Sequence, residues 1–107
     1  MTETELYFGQ TIPTGGEVTA EQWKQYSDSS LSKIFTIGYT TRKTTGHWYD
    51  PDKKSQITEN TYVVTVLNKL TPALSKKIDS IVQVYKTLYQ QQAILRVDKK
   101  VRKFKFL

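Results

Sequence analysis

The chain has 107 residues, 37% of them hydrophobic, and a formal net charge of +6, which suits one domain (residues 1–107) with one core and two layers. With no cysteine and one histidine, disulfides, thiolate catalysis and Cys-based metal sites are excluded, and neither a metal nor another cofactor is expected. No stretch approaches the ~20 apolar residues of a membrane span, and the polar opening Met1-Thr2-Glu3-Thr4-Glu5 is unlike a signal peptide, so a cytoplasmic protein with no membrane partner is expected.

Residues 5–12 alternate, with Leu6, Phe8 and Ile12 on one face, and predict a first strand that Pro13-Thr14-Gly15-Gly16 ends. Thr19 and Gln22 have the spacing of a capping box, with Val18 placed to staple against Trp23. Trp23, Tyr26, Ser30 and Ile34 then recur at helical spacing and predict a first helix over 20–33, weakened by its serines. Residues 36–49 read as a strand interrupted or bulged near Gly38 or Gly46, and Asp50–Lys54 as a turn. Residues 58–68 hold the run Tyr62-Val63-Val64-Thr65-Val66-Leu67, which predicts a central strand buried on both faces.

Thr71-Pro72 opens a second helix whose apolar stripe runs from Leu74 through Ile78, Ile81, Val82, Tyr85 and Leu88 to Tyr89. Residues 93–98 predict the last strand, and the alternation slips near Lys99-Lys100, as for a bulge or a strand that outruns its neighbour. The order is strand, helix, strand, strand, helix, strand. Two interleaved right-handed crossovers turn that order into a ferredoxin-like β-α-β-β-α-β sandwich of class α+β, a four-stranded antiparallel sheet with both helices on one face. The other face is left open.

Leu6-Tyr7-Phe8-Gly9, the pair Gly15-Gly16, Trp23 on the first helix, Gly46-His47-Trp48 and Leu95-Arg96-Val97-Asp98 occur in an order and spacing that resemble a bacterial family of small domains of uncharacterised function. The resemblance covers nearly the whole chain and implies the ferredoxin-like fold; it transfers no activity. Many relatives carry an export or lipid-anchor signal, whereas this sequence starts directly at the domain.

Charge is unevenly placed. Residues 1–30 hold five acids against one base, and residues 96–107 six bases against one acid. A basic end favours phosphorylated metabolites, an acidic partner or nucleic acid, or else serves to protect a strand edge. The nucleic-acid signal is weak: no RNP-type aromatic motif is present, and Phe104 and Phe106 among lysines are generic. If Leu95 and Val97 enter the core, Arg96 and Asp98 point to the open face, and Tyr7, out of phase with Leu6 and Phe8, joins them there. Arg42, His47 and Trp48 on the second strand complete the expected ligand contacts. The loop from Gly9 to Gly16 before a capped helix is a weaker candidate for an anion.

The expected function is non-enzymatic binding of a small anionic, nucleotide-like ligand, as a sensor, carrier or sequestering sponge. A homo-oligomer formed through the open face is expected with it. Two alternatives stay open. One is a small enzyme of the dimeric α/β-barrel type in which His47 or Asp98 handles a proton; the other is an interaction module that pairs protein with protein and takes no small ligand. No nucleophile motif marks a catalytic residue.

Overall fold

β1 (Thr2–Gly9) is made by alternation: Thr4, Leu6 and Phe8 are fully buried on one side, while Glu3, Glu5 and Tyr7 stand on the other. In the computed structural model, which describes residues 1–107, β1 pairs antiparallel with a strand on each side, from Thr2 at one end to Gly9 at the other. It therefore starts three residues before the alternation of 5–12 would place it and ends at Gly9, where the chain leaves the sheet.

The capping box forms at α1 (Ala20–Tyr26): the Gln22 amide donates to Thr19 Oγ1 at 3.1 Å, and the Thr19 amide to Gln22 Oε1 at 2.9 Å. The serine-rich stretch does not continue as an α-helix. It opens into a π-helical turn at Ser27–Leu31, followed by the short α2 (Ser32–Ile34). The wider turn moves the next inward position from Ser30 to Leu31, five residues after Tyr26, and Leu31 is fully buried.

β2 (Thr40–Asp50) and β3 (Ser55–Asn68) form a long hairpin in continuous register from Thr40–Thr65 to Asp50–Ser55. There is no bulge at Gly46, and residues 36–39 form a turn rather than strand, with Gly38 at φ +106°. Asp50 Oδ1 accepts from the amides of Asp52 and Lys53 and closes the hairpin. Val64 and Val66 are buried on the helix side and Val63 on the opposite side, at the centre of the sheet, although no helix covers that second face.

α3 (Pro72–Tyr89) is capped by Thr71, whose hydroxyl accepts from the Leu74 amide at 3.1 Å. It lays Ile78 and Tyr85 onto Leu6, Phe8, Val64 and Val66, together with Trp23 and Tyr26 of α1. The centre of the core is aromatic: the Phe8 ring lies 4.9 Å from Tyr85 and 5.2 Å from Trp23, and Trp23 stacks on Tyr62 at 4.4 Å.

β4 (Leu95–Lys100) completes an antiparallel sheet of order β2-β3-β1-β4 with the helices on one face, the ferredoxin-like sandwich that the element order implies. Its phase is the reverse of the sequence expectation. Arg96 pairs with Leu6 and Asp98 with Thr4, so both charges lie on the helix side, and Leu95 is 59% exposed on the open face. β4 stops at Lys100, opposite Thr2, because β1 supplies no further partner.

The hairpin overhangs the sheet. β3 has 14 residues, yet its pairing with β1 ends at Gly9–Thr61, so the distal ends of β2 and β3 project as a two-stranded arm. The arm lengthens the molecule to 45 Å, against 27 and 26 Å in the other directions. No helix is long and apolar enough to cross a membrane.

Candidate functional site

Tyr7, Arg96 and Asp98 do not meet. Arg96, 17% exposed, is held on the helix side by Asp79 Oδ1 at 2.8 Å, Ser75 Oγ at 3.0 Å and Asp98 Oδ2 at 3.2 Å. Asp98 also accepts from Thr4 Oγ1 at 2.7 Å. The two terminal nitrogens of the guanidinium bond Ser75 and Asp79 and so clamp β4 to α3, while Nε faces Asp98 on the same strand, and the arrangement leaves no open fork for a ligand. Arg96→Ala is expected to lower stability by about 1–2 kcal/mol through lost charge-assisted bonds, while ligand affinity stays unchanged. Chemical denaturation and ligand titration of the same variant check both halves of that expectation.

Tyr7, Arg42 and Trp48 do share the open face, as the register of β1, β2 and β3 places them. His47 has the opposite phase, out on the arm, where its Nδ1 lies 3.3 Å from Thr58 Oγ1. His47 and Asp98 therefore sit toward opposite ends of the sheet and form no common acid–base site.

Between Tyr7 and Trp48 the open face has a floor of small residues. Thr44 faces Thr61, which faces Gly9, and one step further Gly46 faces Glu59. The two glycines have ordinary strand φ values; their role is space. A Cβ on Gly9 would lie 2.8 Å from Glu59 Oε1, and one on Gly46 would lie 3.0 Å from Thr61 Oγ1. The missing side chain at Gly9 lets the Glu59 carboxylate lie across the sheet, where its Oε2 accepts from the Thr11 amide at 3.3 Å, and the one at Gly46 makes room for the Thr61 hydroxyl. Thr44 Oγ1 donates to the Thr61 carbonyl at 3.0 Å, so the floor is tied together. The result is a shallow depression with Tyr7 and Arg42 on one rim and Trp48 and Ile57 on the other, containing a half-buried carboxylate. Glu59, Thr61 and Gly46 were not singled out as contacts from sequence. The available signal was a glycine inside each of two strands, which marks a close approach over the backbone.

The face is not a cationic surface. Arg42 lies 3.4 Å from Glu5, and Lys99 bridges Glu3 and Glu5 at 3.9 and 3.7 Å. These are exposed pairs worth at most about 1 kcal/mol each, so either cation can exchange its partner for a ligand anion. In the Gly9–Gly16 loop and the start of α1, the Thr19 and Gln22 amides go to the capping box, and Gly15 and Gly16, at φ +130° and +78°, serve the turn. The basic surplus sits in the tail after β4, where Phe106 reaches Thr40 and Leu67 across a cleft of about 310 Å³.

Fold and face together define a small ferredoxin-like α+β domain with one sheet face that no helix covers. The chain belongs to the family described as "Protein of unknown function (DUF3574)", which matches residues 3–106. No curated protein matches it. Among solved structures it is similar to a phage SAM lyase in complex with S-methyl-5'-thioadenosine, at TM-score 0.71 and 12% identity, over 92% of this chain and 80% of that one. It is also similar to CutA1 from Pyrococcus horikoshii, at TM-score 0.58 and 12% identity, over 98% and 87% of the two chains. A DUF3240 family protein from Shewanella baltica follows at TM-score 0.50 and 7% identity, over 100% and 98%. At these identities the likeness establishes the fold.

Proposed function

We propose that this protein is a non-enzymatic binding protein for a small nucleotide-like ligand, held on the open sheet face in the depression over Gly9, Thr44, Gly46 and Thr61. The observation that carries this reading is the Glu59 carboxylate, which lies over Gly9 in the space a side chain there would fill and is aimed along the floor toward the Thr11 amide. A carboxylate so placed accepts hydrogen bonds from hydroxyl or amino groups, such as the vicinal hydroxyls of a ribose. Arg42, four residues from Gly46 along β2, stands about 14 Å away and supplies the cation for a phosphate at the far end of such a molecule. Tyr7 and Trp48 offer rings at either rim for a base to pack on. The phage lyase is described in complex with a nucleoside, which is the same ligand class. Sensing, carriage and sequestration all need this binding step and no nucleophile.

Titration calorimetry with AMP, adenosine, S-methyl-5'-thioadenosine and inorganic phosphate tests the proposal. At least one nucleoside or nucleotide is expected to bind, and Glu59→Gln to weaken it about 10- to 100-fold, the cost of a lost charge-assisted hydrogen bond. Phosphate alone is expected to bind poorly. Silence across the panel, or equal affinity in Glu59→Gln, would sink the proposal.

A further inference from the structure

β3 carries an unfinished edge. Asn60 directs its carbonyl toward β1, where the Gln10 amide donates to it at 3.0 Å. Alternate residues of an antiparallel strand point the same way, so Thr58 and Gln56 direct their N–H and C=O groups to that side too. β1 has already ended there, and no strand of the chain pairs with those groups. Ser55-Gln56-Ile57-Thr58 has neither a charge nor a proline, the usual guards of an exposed edge. A two-stranded ribbon with exposed Trp48 and Tyr49 is marginal in water by itself.

We infer that this edge is completed by a second copy of the chain, whose β4 adds to β3 where β1 has left the sheet. β4 is an edge strand of matching reach. The Val101 amide donates to the Met1 carbonyl, so Val101 faces β1, and Arg96, Asp98 and Lys100 direct their backbone groups outward. Charge favours the pairing. The arm carries Asp50, Asp52 and Glu59 against Lys53 and Lys54, a small acidic excess, while β4 and the tail after it carry Arg96, Lys99, Lys100, Arg102, Lys103 and Lys105 against Asp98 alone. Two copies of β4 repel each other, and the alternative edge of β2 carries Arg42 and Lys43, which repel β4 as well. Joining one edge to a different edge is heterologous, so copies assemble head to tail, in a ring where the rotation closes, rather than as a face-to-face pair. The added strand runs beside Ile57 and Glu59, and in this respect the inference rests on the ligand reading: the neighbouring copy walls the side of the depression that one chain leaves open.

The test uses the ligand-free protein, so it stands apart from whether a nucleotide binds. Sedimentation is expected to give a multiple of the 12.4 kDa chain. Thr58→Pro removes an outward N–H and the exposed contact with His47 but no hydrogen bond of the sheet, so it is expected to yield the 12.4 kDa monomer with an unchanged circular dichroism spectrum. Amide exchange of the unaltered protein serves as the second readout, independent of any variant: the Gln56, Thr58 and Asp98 amides are expected to be protected by at least about 100-fold, as in a paired ladder. A monomeric parent, a folded Thr58→Pro oligomer, or fast exchange at Thr58 and Asp98 would each overturn the inference. Protection confined to the outer edge of β2 would overturn it too.

Discussion

Phe8→Ala is expected to remove about 3–5 kcal/mol of stability, the usual cost of deleting a fully buried ring. Phe8 sits where β1 meets both helices, with Trp23, Tyr26 and Tyr85 packed around it at centroid distances of 5.2, 5.6 and 4.9 Å. Those neighbours are large, and two of them are fixed by hydrogen bonds: Tyr26 donates to the Ile81 carbonyl at 2.7 Å and Tyr85 to the Gly9 carbonyl at 2.8 Å. They cannot collapse into the space without giving up those bonds, which places the cost toward the upper end. A domain of this length has about 5–15 kcal/mol in total, so the variant would be folded only marginally. In urea the midpoint is expected to fall by about 2 M, given a slope of roughly 1–3 kcal/mol per molar. A shift below about 0.5 M with an unchanged slope would mean that the aromatic cluster is not the centre of the core.

Alkaline solution is expected to unfold the protein through the same cluster. Burial pushes the phenols of Tyr26 and Tyr85 well above their ordinary value, with neighbouring tyrosines and Glu59 adding to the effect at Tyr85. In the unfolded chain both ionise near pH 10. Above that pH the unfolded state binds fewer protons than the folded one, so the free energy of unfolding falls as pH rises. The two groups together give a slope of about 2.7 kcal/mol per pH unit, and the contribution is fully present below pH 10. Denaturant midpoints measured from pH 8 to pH 11.5 should be flat at first and then drop steeply. The double variant Tyr26→Phe, Tyr85→Phe should lose most of that drop, at the cost of two buried hydrogen bonds. Ionisation of all seven tyrosines before unfolding would contradict the assignment.

The fold was legible because its signals were local. The capping box at Thr19 and Gln22, the Thr71-Pro72 start of α3 and the apolar run of β3 each name an element from a few adjacent residues. Phase was harder. In β4 the pairs Leu95, Val97 and Arg96, Asp98 read as core and surface from hydrophobicity alone. β4 is an edge strand under the flank of α3, though, where a guanidinium can satisfy itself against Ser75 and Asp79. The apolar pair then falls on the open face, with Leu95 more than half exposed. Only the register against β1 settles that choice. Ser30 failed for a related reason, since one π turn displaces the helical stripe by a residue. Glu59 was illegible as a contact because its position depends on Gly9, distant in sequence and on another strand, and unremarkable alone.

The central claim, that the open face over Gly9 and Gly46 holds the ligand, is tested most directly by mapping amide chemical shifts during titration with AMP. The expected result is a cluster of perturbations at Gly9, Thr44, Gly46, Glu59 and Thr61, with smaller effects at Tyr7 and Arg42. Perturbations confined to Ser75, Asp79, Arg96 and Asp98 on the helix side, or none at saturating nucleotide, would contradict it.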